Sequence, residues 1–171
     1  NSLKAVGEIY WGRVNIEKSM QYYNEALTIF EEINDKNGLG HTYRDIGNLT
    51  AMKGELDNAI IYYGNSQDAF IELGDDIESE RTLNNIGNVS IGMGDYAKAK
   101  TSLEASLILN TLHDNKNGLW RNYTNLAYLY RDLEDYENAL KYINLAKNIV
   151  ISLDFAPTVL AANLYFIGKT Y

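Results

Sequence analysis

The chain has 171 residues, 46% apolar and 22% charged, with a formal net charge of −8, one proline and no cysteine. That length permits one domain or one array of small units sharing a core, and the missing cysteine excludes disulfides and thiolate metal sites. The acidic balance argues against a general nucleic-acid binder, and no apolar run approaches the 18 or so residues of a membrane span. No secretory or transit segment is visible, so the expected compartment is the cytoplasm. The first residue is Asn1 rather than Met, so an excised piece of a longer protein is expected.

In chain order, the apolar spacing predicts a helix over about 2–13 and a second over about 16–33. The second carries Ile16, Met20, Tyr23, Leu27, Phe30 and Ile33 at alternating steps of four and three, one face of a helix. Pairs follow over about 39–53 and 56–73, 78–92 and 96–112, and 118–132 and 136–153, then a single helix over 158–171. Turn-rich NDKNG, LGDD, HDNKNG and DFAP separate the units. The units are therefore about 1–38, 39–77, 78–117 and 118–157, closed by a lone first helix, all in one array.

The units are copies. DIGNLTAMKGELDNA, from Asp45 to Ala59, is repeated 40 residues on as NIGNVSIGMGDYAKA, from Asn85 to Ala99. One slot reads Gly7, Gly47, Gly87, Ala127 and, one residue late, Gly168; twelve further on stand Ser19, Ala59, Ala99 and Ala139. A glycine inside a helix costs roughly 0.5–1 kcal/mol against alanine and needs a packing reason. Facing Gly47 with Ala59, and Gly87 with Ala99, would let paired helices approach closely. Gly54 and Gly94 read instead as left-handed stops between helices, whereas Val14–Asn15 and Glu134–Asp135 lack that glycine and predict less ideal turns.

The stretches LKAVGEIY, YRDIGNLT, LNNIGNVS, YTNLAYLY and LYFIGKTY, each but the last followed by a Ser/Ala-x3-aromatic or aliphatic step, resemble the tetratricopeptide repeat. The resemblance covers essentially the whole chain. A period of 40 rather than 34, with no closing proline, is similar to the longer-helix members found in kinesin light chains, spindle-orientation adaptors and bacterial signalling proteins. It implies an all-α solenoid of antiparallel helix pairs, about four and a half repeats. A HEAT-like array has a similar period but would not predict the small–small pairing.

No active site, metal site or cofactor site is legible. GKT at Gly168–Thr170 echoes the end of a P-loop, but Asn163 stands where the upstream glycine belongs. His41 and His113 have no helical partner at metal spacing. NLT, NVS and NYT are formal glycosylation sequons at Asn48, Asn88 and Asn122, all within expected helices. Most of the tyrosines, among them Tyr23, Tyr43, Tyr63, Tyr123, Tyr130 and Tyr136, fall in expected core slots.

The resemblance implies that the first helices line a concave surface where peptide segments bind. The positions left for a ligand there include Lys4, His41, Arg44, Asn48, Arg81, Asn84, Asn85, Asn88, Arg121, Asn125, Tyr128 and Arg131. The expected first helices hold eight Lys/Arg against five Asp/Glu, within a chain of 15 and 23. A mildly basic groove on an acidic protein would attract an acidic or carboxylate-ended segment. The bland reading is that long helices merely solvate themselves. Arg44, Asn48, Asn85 and Arg121 resemble part of a two-carboxylate clamp of the family, from which Asn125 departs by replacing a cation. The function expected is thus a non-catalytic protein- or peptide-binding scaffold. Two alternatives stay open: a sensor or docking module of a larger bacterial signalling protein, or pairing of two copies through the last helix. On that helix Leu160, Leu164, Phe166 and Ile167 would otherwise lack cover.

Overall fold

The computed structural model describes residues 16–153 and, beyond them, 158, 161, 165, 166, 168 and 169. The helix expected over 2–13 lies outside these residues; the six described positions after 153 are all helical. Among the described residues there are seven helices and no strand: α1 (Ile16–Glu32), α2 (Lys36–Met52), α3 (Leu56–Leu73), α4 (Asp76–Met93), α5 (Tyr96–Leu112), α6 (Lys116–Asp132) and α7 (Tyr136–Ser152). None of them is long and apolar enough to cross a membrane.

The turns share one construction. Left-handed backbone occurs at Asn34, Gly54, Gly74, Gly94, Asp114 and Glu134, every twentieth residue. In each case the next residue's N–H reaches back five positions: Asp35 to Phe30, Glu55 to Thr50, Asp75 to Phe70, Asp95 to Ser90, Asn115 to Asn110 and Asp135 to Tyr130. This closes the preceding helix in the Schellman manner. Asp35, Asp75, Asp95, Asn115 and Asp135 then cap the following helix, each side chain accepting from the N–H three residues on. Asn138 donates to Asp135 from both side chain and backbone, holding that carboxyl below its ordinary range. Because these caps satisfy the first orphan donors, α2, α4 and α6 begin at 36, 76 and 116, earlier than the turn-like composition suggested. Glu134 confirms that the fourth unit makes its turn without glycine, in a conformation costly for an L-residue.

The chain forms two compact units, Asn1–Ala69 and Phe70–Tyr171. In the first, the Phe30 ring lies against Gly38, and Ile46, Leu49, Ala59 and Tyr63 are buried. Gly47 packs under the Tyr63 ring, where an added β-carbon would come within 2.7 Å. The helix contact expected between Gly47 and Ala59 is therefore made chiefly one turn further along, by Tyr63.

In the second unit Asp76 meets His113, Glu80 meets Asn110 and Gly87 meets Leu103, so α4 and α5 run antiparallel. Leu103 fills the space of a β-carbon on Gly87 and the Ala99 carbonyl lies 3.4 Å from it, so here both partners contribute. Ala99, Leu103, Leu126 and Leu129 form one core cluster; Ala127, Ala139, Ile143, Ala146 and Phe166 form another. Tyr136, expected in the core, is exposed at the first position of α7. Phe166 is only 4% exposed, packed edge-on to Tyr128. It is thus spent on its own unit rather than left uncovered; Leu160, Leu164 and Ile167 lie outside the described residues.

Candidate functional site

Within the first unit, α2 presents His41, Arg44 and Asn48 at helical steps of three and four, on one face. Arg44 Nη2 lies 3.0 Å from His41 Nδ1. Asn48 is engaged inward: the Tyr63 hydroxyl donates to its Oδ1 at 2.8 Å. Burial is the main cause that pushes the Tyr63 phenol up to about 12, so it stays a donor through the neutral range. Lys4 lies outside the described residues.

In the second unit α4 and α6 lie side by side and are stitched by two rungs. Arg121 Nη2 donates to Glu80 Oε1 at 3.1 Å, and one turn on Asn125 Nδ2 donates to Asn84 Oδ1 at 3.0 Å. Four residues further along α4 comes Asn88, whose counterpart at the same offset on α6 is Leu129. Leu129 is fully buried and offers no polar group. Asn88 is exposed and makes no hydrogen bond among the described residues.

The asparagines are thus not an equivalent ladder. Asn84 and Asn125 hold each other, with Asn84 only 4% exposed, and Asn48 is held by a tyrosine. Asn85 is half-buried.

The cations come with carboxylates. Arg81 pairs with Glu78 at 2.5 Å, Arg121 with Glu80, and Arg131 with Asp132 at 2.7 Å. Arg131 also lies over the rings of Tyr128 and Phe166, 5.1 and 5.5 Å from their centres. Helices α4 and α6 together hold four cations and four carboxylates; the rest of the unit's described residues through 153 hold four lysines and eight carboxylates. So the contrast in this unit is a neutral pair of first helices beside an acidic remainder.

A buried polar cluster beneath this face was not anticipated. Glu80 is 2% exposed, yet its carboxylate accepts from Arg121, from Asn115 Nδ2 at 3.1 Å and from Asn110 Nδ2 at 2.8 Å. Ser106 donates to the Glu80 carbonyl at 2.9 Å, Asn110 donates to Asn122, and Asn122 donates to the Leu103 carbonyl at 3.2 Å. Gly118 is required beside it, since a β-carbon there would overlap the Asn110 amide. Three donors on a buried carboxylate satisfy the condition under which an interior charge is tolerable. The signal was present as departures from the repeat: Asn110 stands where other units have Phe30, Phe70 and Val150, and Glu80 where they have Gly40 and Trp120.

Against known families, residues 78–152 match the model of the tetratricopeptide repeat. Over that stretch, less than half of its length, the chain is similar to the tetratricopeptide repeat. Its all-α fold of antiparallel helix pairs is shared with solved tetratricopeptide-type solenoids. BtubC (BKLC) from P. vanneervenii superposes with a TM-score of 0.86 at 20% identity, over 96% of this chain and 68% of that one. RapI in its apo form gives 0.84 at 15% identity, over 98% of this chain and 60% of that one. A signal-transduction ATPase with numerous domains from Pyrococcus horikoshii, which carries a tetratricopeptide-repeat sensor, gives 0.84 at 21% identity, over 97% of this chain and 26% of that one. The chain therefore spans less than two thirds of the last two proteins. No protein of curated function matches its sequence.

Proposed function

We propose that this chain is a non-catalytic binding module that takes an extended protein segment along the first-helix face of α4 and α6. The observation that carries this reading is the free Asn88 amide, next in line after two rungs that fix α4 against α6. An amide both donates and accepts, which suits a peptide backbone, and a face already held rigid loses little entropy on binding. Arg81 and Arg121 each bond a carboxylate through one terminal nitrogen, leaving further N–H groups for a carboxylate end of the ligand.

A second reading is a sensor or docking half of a larger signalling protein. It is favoured by the likeness to the P. horikoshii ATPase, in which such repeats form the sensor.

The test uses acidic peptides of one sequence with a free or an amidated C-terminus. The free acid should bind more tightly, and Arg81→Gln with Asn88→Ala should weaken it at least tenfold. Both positions are exposed, so folding stability should move by less than about 0.5 kcal/mol. Arg121→Glu is unsuitable, because it would set a second carboxylate against buried Glu80. Equal binding of both peptides to wild type and variant would remove this face as the site.

A further inference from the structure

Between α6 and α7, in the second unit, lies a cleft of about 350 Å³, at the small-molecule end of the range for binding sites. Half-buried Leu119, Tyr123 and Ile149 form its floor, with Leu145 beside them, and exposed Asp114, Lys116 and Asn148 stand at its rim. Asp114 and Lys116 carry opposite charges two residues apart, and neither side chain bonds any described residue. The Asn148 amide and the Tyr123 hydroxyl are likewise unspent among the described residues. Neither of the other described pairs of first and second helices combines these features. The α2–α3 pair has Asn65 and Ala69 at the slots of Leu145 and Ile149, so it lacks the aliphatic wall. The α4–α5 pair has Gly74 and Asp76 at the slots of Asp114 and Lys116, so it lacks the cation.

The ends of two helices add to these charges. Helix α6 begins at Lys116 and α7 ends at Ser152, which also lines the cleft, so a positive helix N-terminus and a negative helix C-terminus share it. A site with both poles over an aliphatic floor disfavours ligands of a single charge: a phosphate meets Asp114, and a polyamine meets Lys116. It suits a molecule that carries both charges on one carbon beside an apolar group. We propose that this cleft binds a free aliphatic α-amino acid. The ligand's carboxylate meets Lys116 and the first turn of α6, and its ammonium meets Asp114 and the last carbonyls of α7. Its side chain covers Leu119, Leu145 and Ile149. The site uses no residue of the α4–α6 face, so it stands or falls apart from the peptide reading.

The probe is L-leucine, compared with N-acetyl-leucine, leucinamide and glycine, which lack in turn the ammonium, the carboxylate and the side chain. In NMR titrations of the wild type, leucine should shift the methyl resonances of Leu119, Leu145 and Ile149. Each of the three analogues should bind at least tenfold more weakly. Asp114→Asn and Lys116→Gln should each lower the affinity for leucine at least tenfold. Both positions are exposed, and asparagine accepts the left-handed backbone at 114, so the fold should be retained. The proposal is overturned if leucine at about 10 mM, enough to fill a millimolar site, leaves those methyls unmoved or shifts others instead. It is equally overturned if N-acetyl-leucine or leucinamide binds as tightly as leucine, or if either variant keeps wild-type affinity, since the cleft would then be an apolar patch with no use for its charges.

Discussion

Gly47 and Asn48 of α2 stand at the same slots as Gly87 and Asn88 of α4, forty residues apart, and the helices that follow pack against both glycines. The difference lies in what packs. Tyr63 covers Gly47 with a ring and ties Asn48 with its hydroxyl; Leu103 covers Gly87 and has nothing to offer Asn88. One substitution at a packing position thus decides whether an asparagine on the neighbouring helix is structural or available. A second contrast runs the other way: Phe30 fits over Gly38 in the first unit, while Asn110 occupies the same place over Gly118 and recruits a buried carboxylate.

The sharpest break should come at that carboxylate. Glu80→Ala would strand the Asn110 and Asn115 amides and the Arg121 guanidinium, and should cost about 3 kcal/mol in urea denaturation. A loss below about 1 kcal/mol would show that the cluster only fills space. Next, Gly87→Leu should destabilise by about 2 kcal/mol through overpacking against Leu103, and Gly47→Leu by a similar amount against Tyr63. An unchanged midpoint in either would separate the two repeats in the wrong place.

Smaller effects refine the tyrosine–leucine difference. Tyr63→Phe should cost about 1 kcal/mol, the net worth of the bond to Asn48. It should also change the alkaline limb. The Tyr63 phenol is neutral in the folded protein up to about 12 but ionises near 10 when unfolded. The unfolded state then binds fewer protons, so folding stability declines as pH rises from about 10 to 12. Removing the hydroxyl should flatten that decline in denaturation curves taken across the window. The smallest change is Glu134→Gly, which relieves a left-handed residue and should stabilise by about 0.5 kcal/mol, measurable as a small rise in melting temperature.

Much of this architecture was legible because helix periodicity and repeat spacing report backbone geometry directly. The second helices begin at 16, 56, 96 and 136 as the apolar steps indicate. The first helices were read short because Asp35, Asp75 and Asn115 look like turn residues until their side chains are seen accepting from the next turn's N–H groups. The face was legible only as positions. Whether Asn84 is free depends on Asn125, 41 residues away, and spacing along one helix carries no information about a partner on another. Composition makes no distinction between a solvated carboxylate and one, like Glu80, surrounded by amides.

The twenty-residue spacing of the left-handed turns bears on how such a chain can change length. Each helix with its turn is one equal step, so losing or gaining a single step would leave every later joint intact yet exchange the inner and outer helices downstream. Side chains of the proposed binding face would then lie on the opposite side of the helix pair. Growth or shrinkage in double steps preserves both joint and facing. The proposed binding face therefore survives only changes in multiples of 40 residues, even though the turns recur every 20.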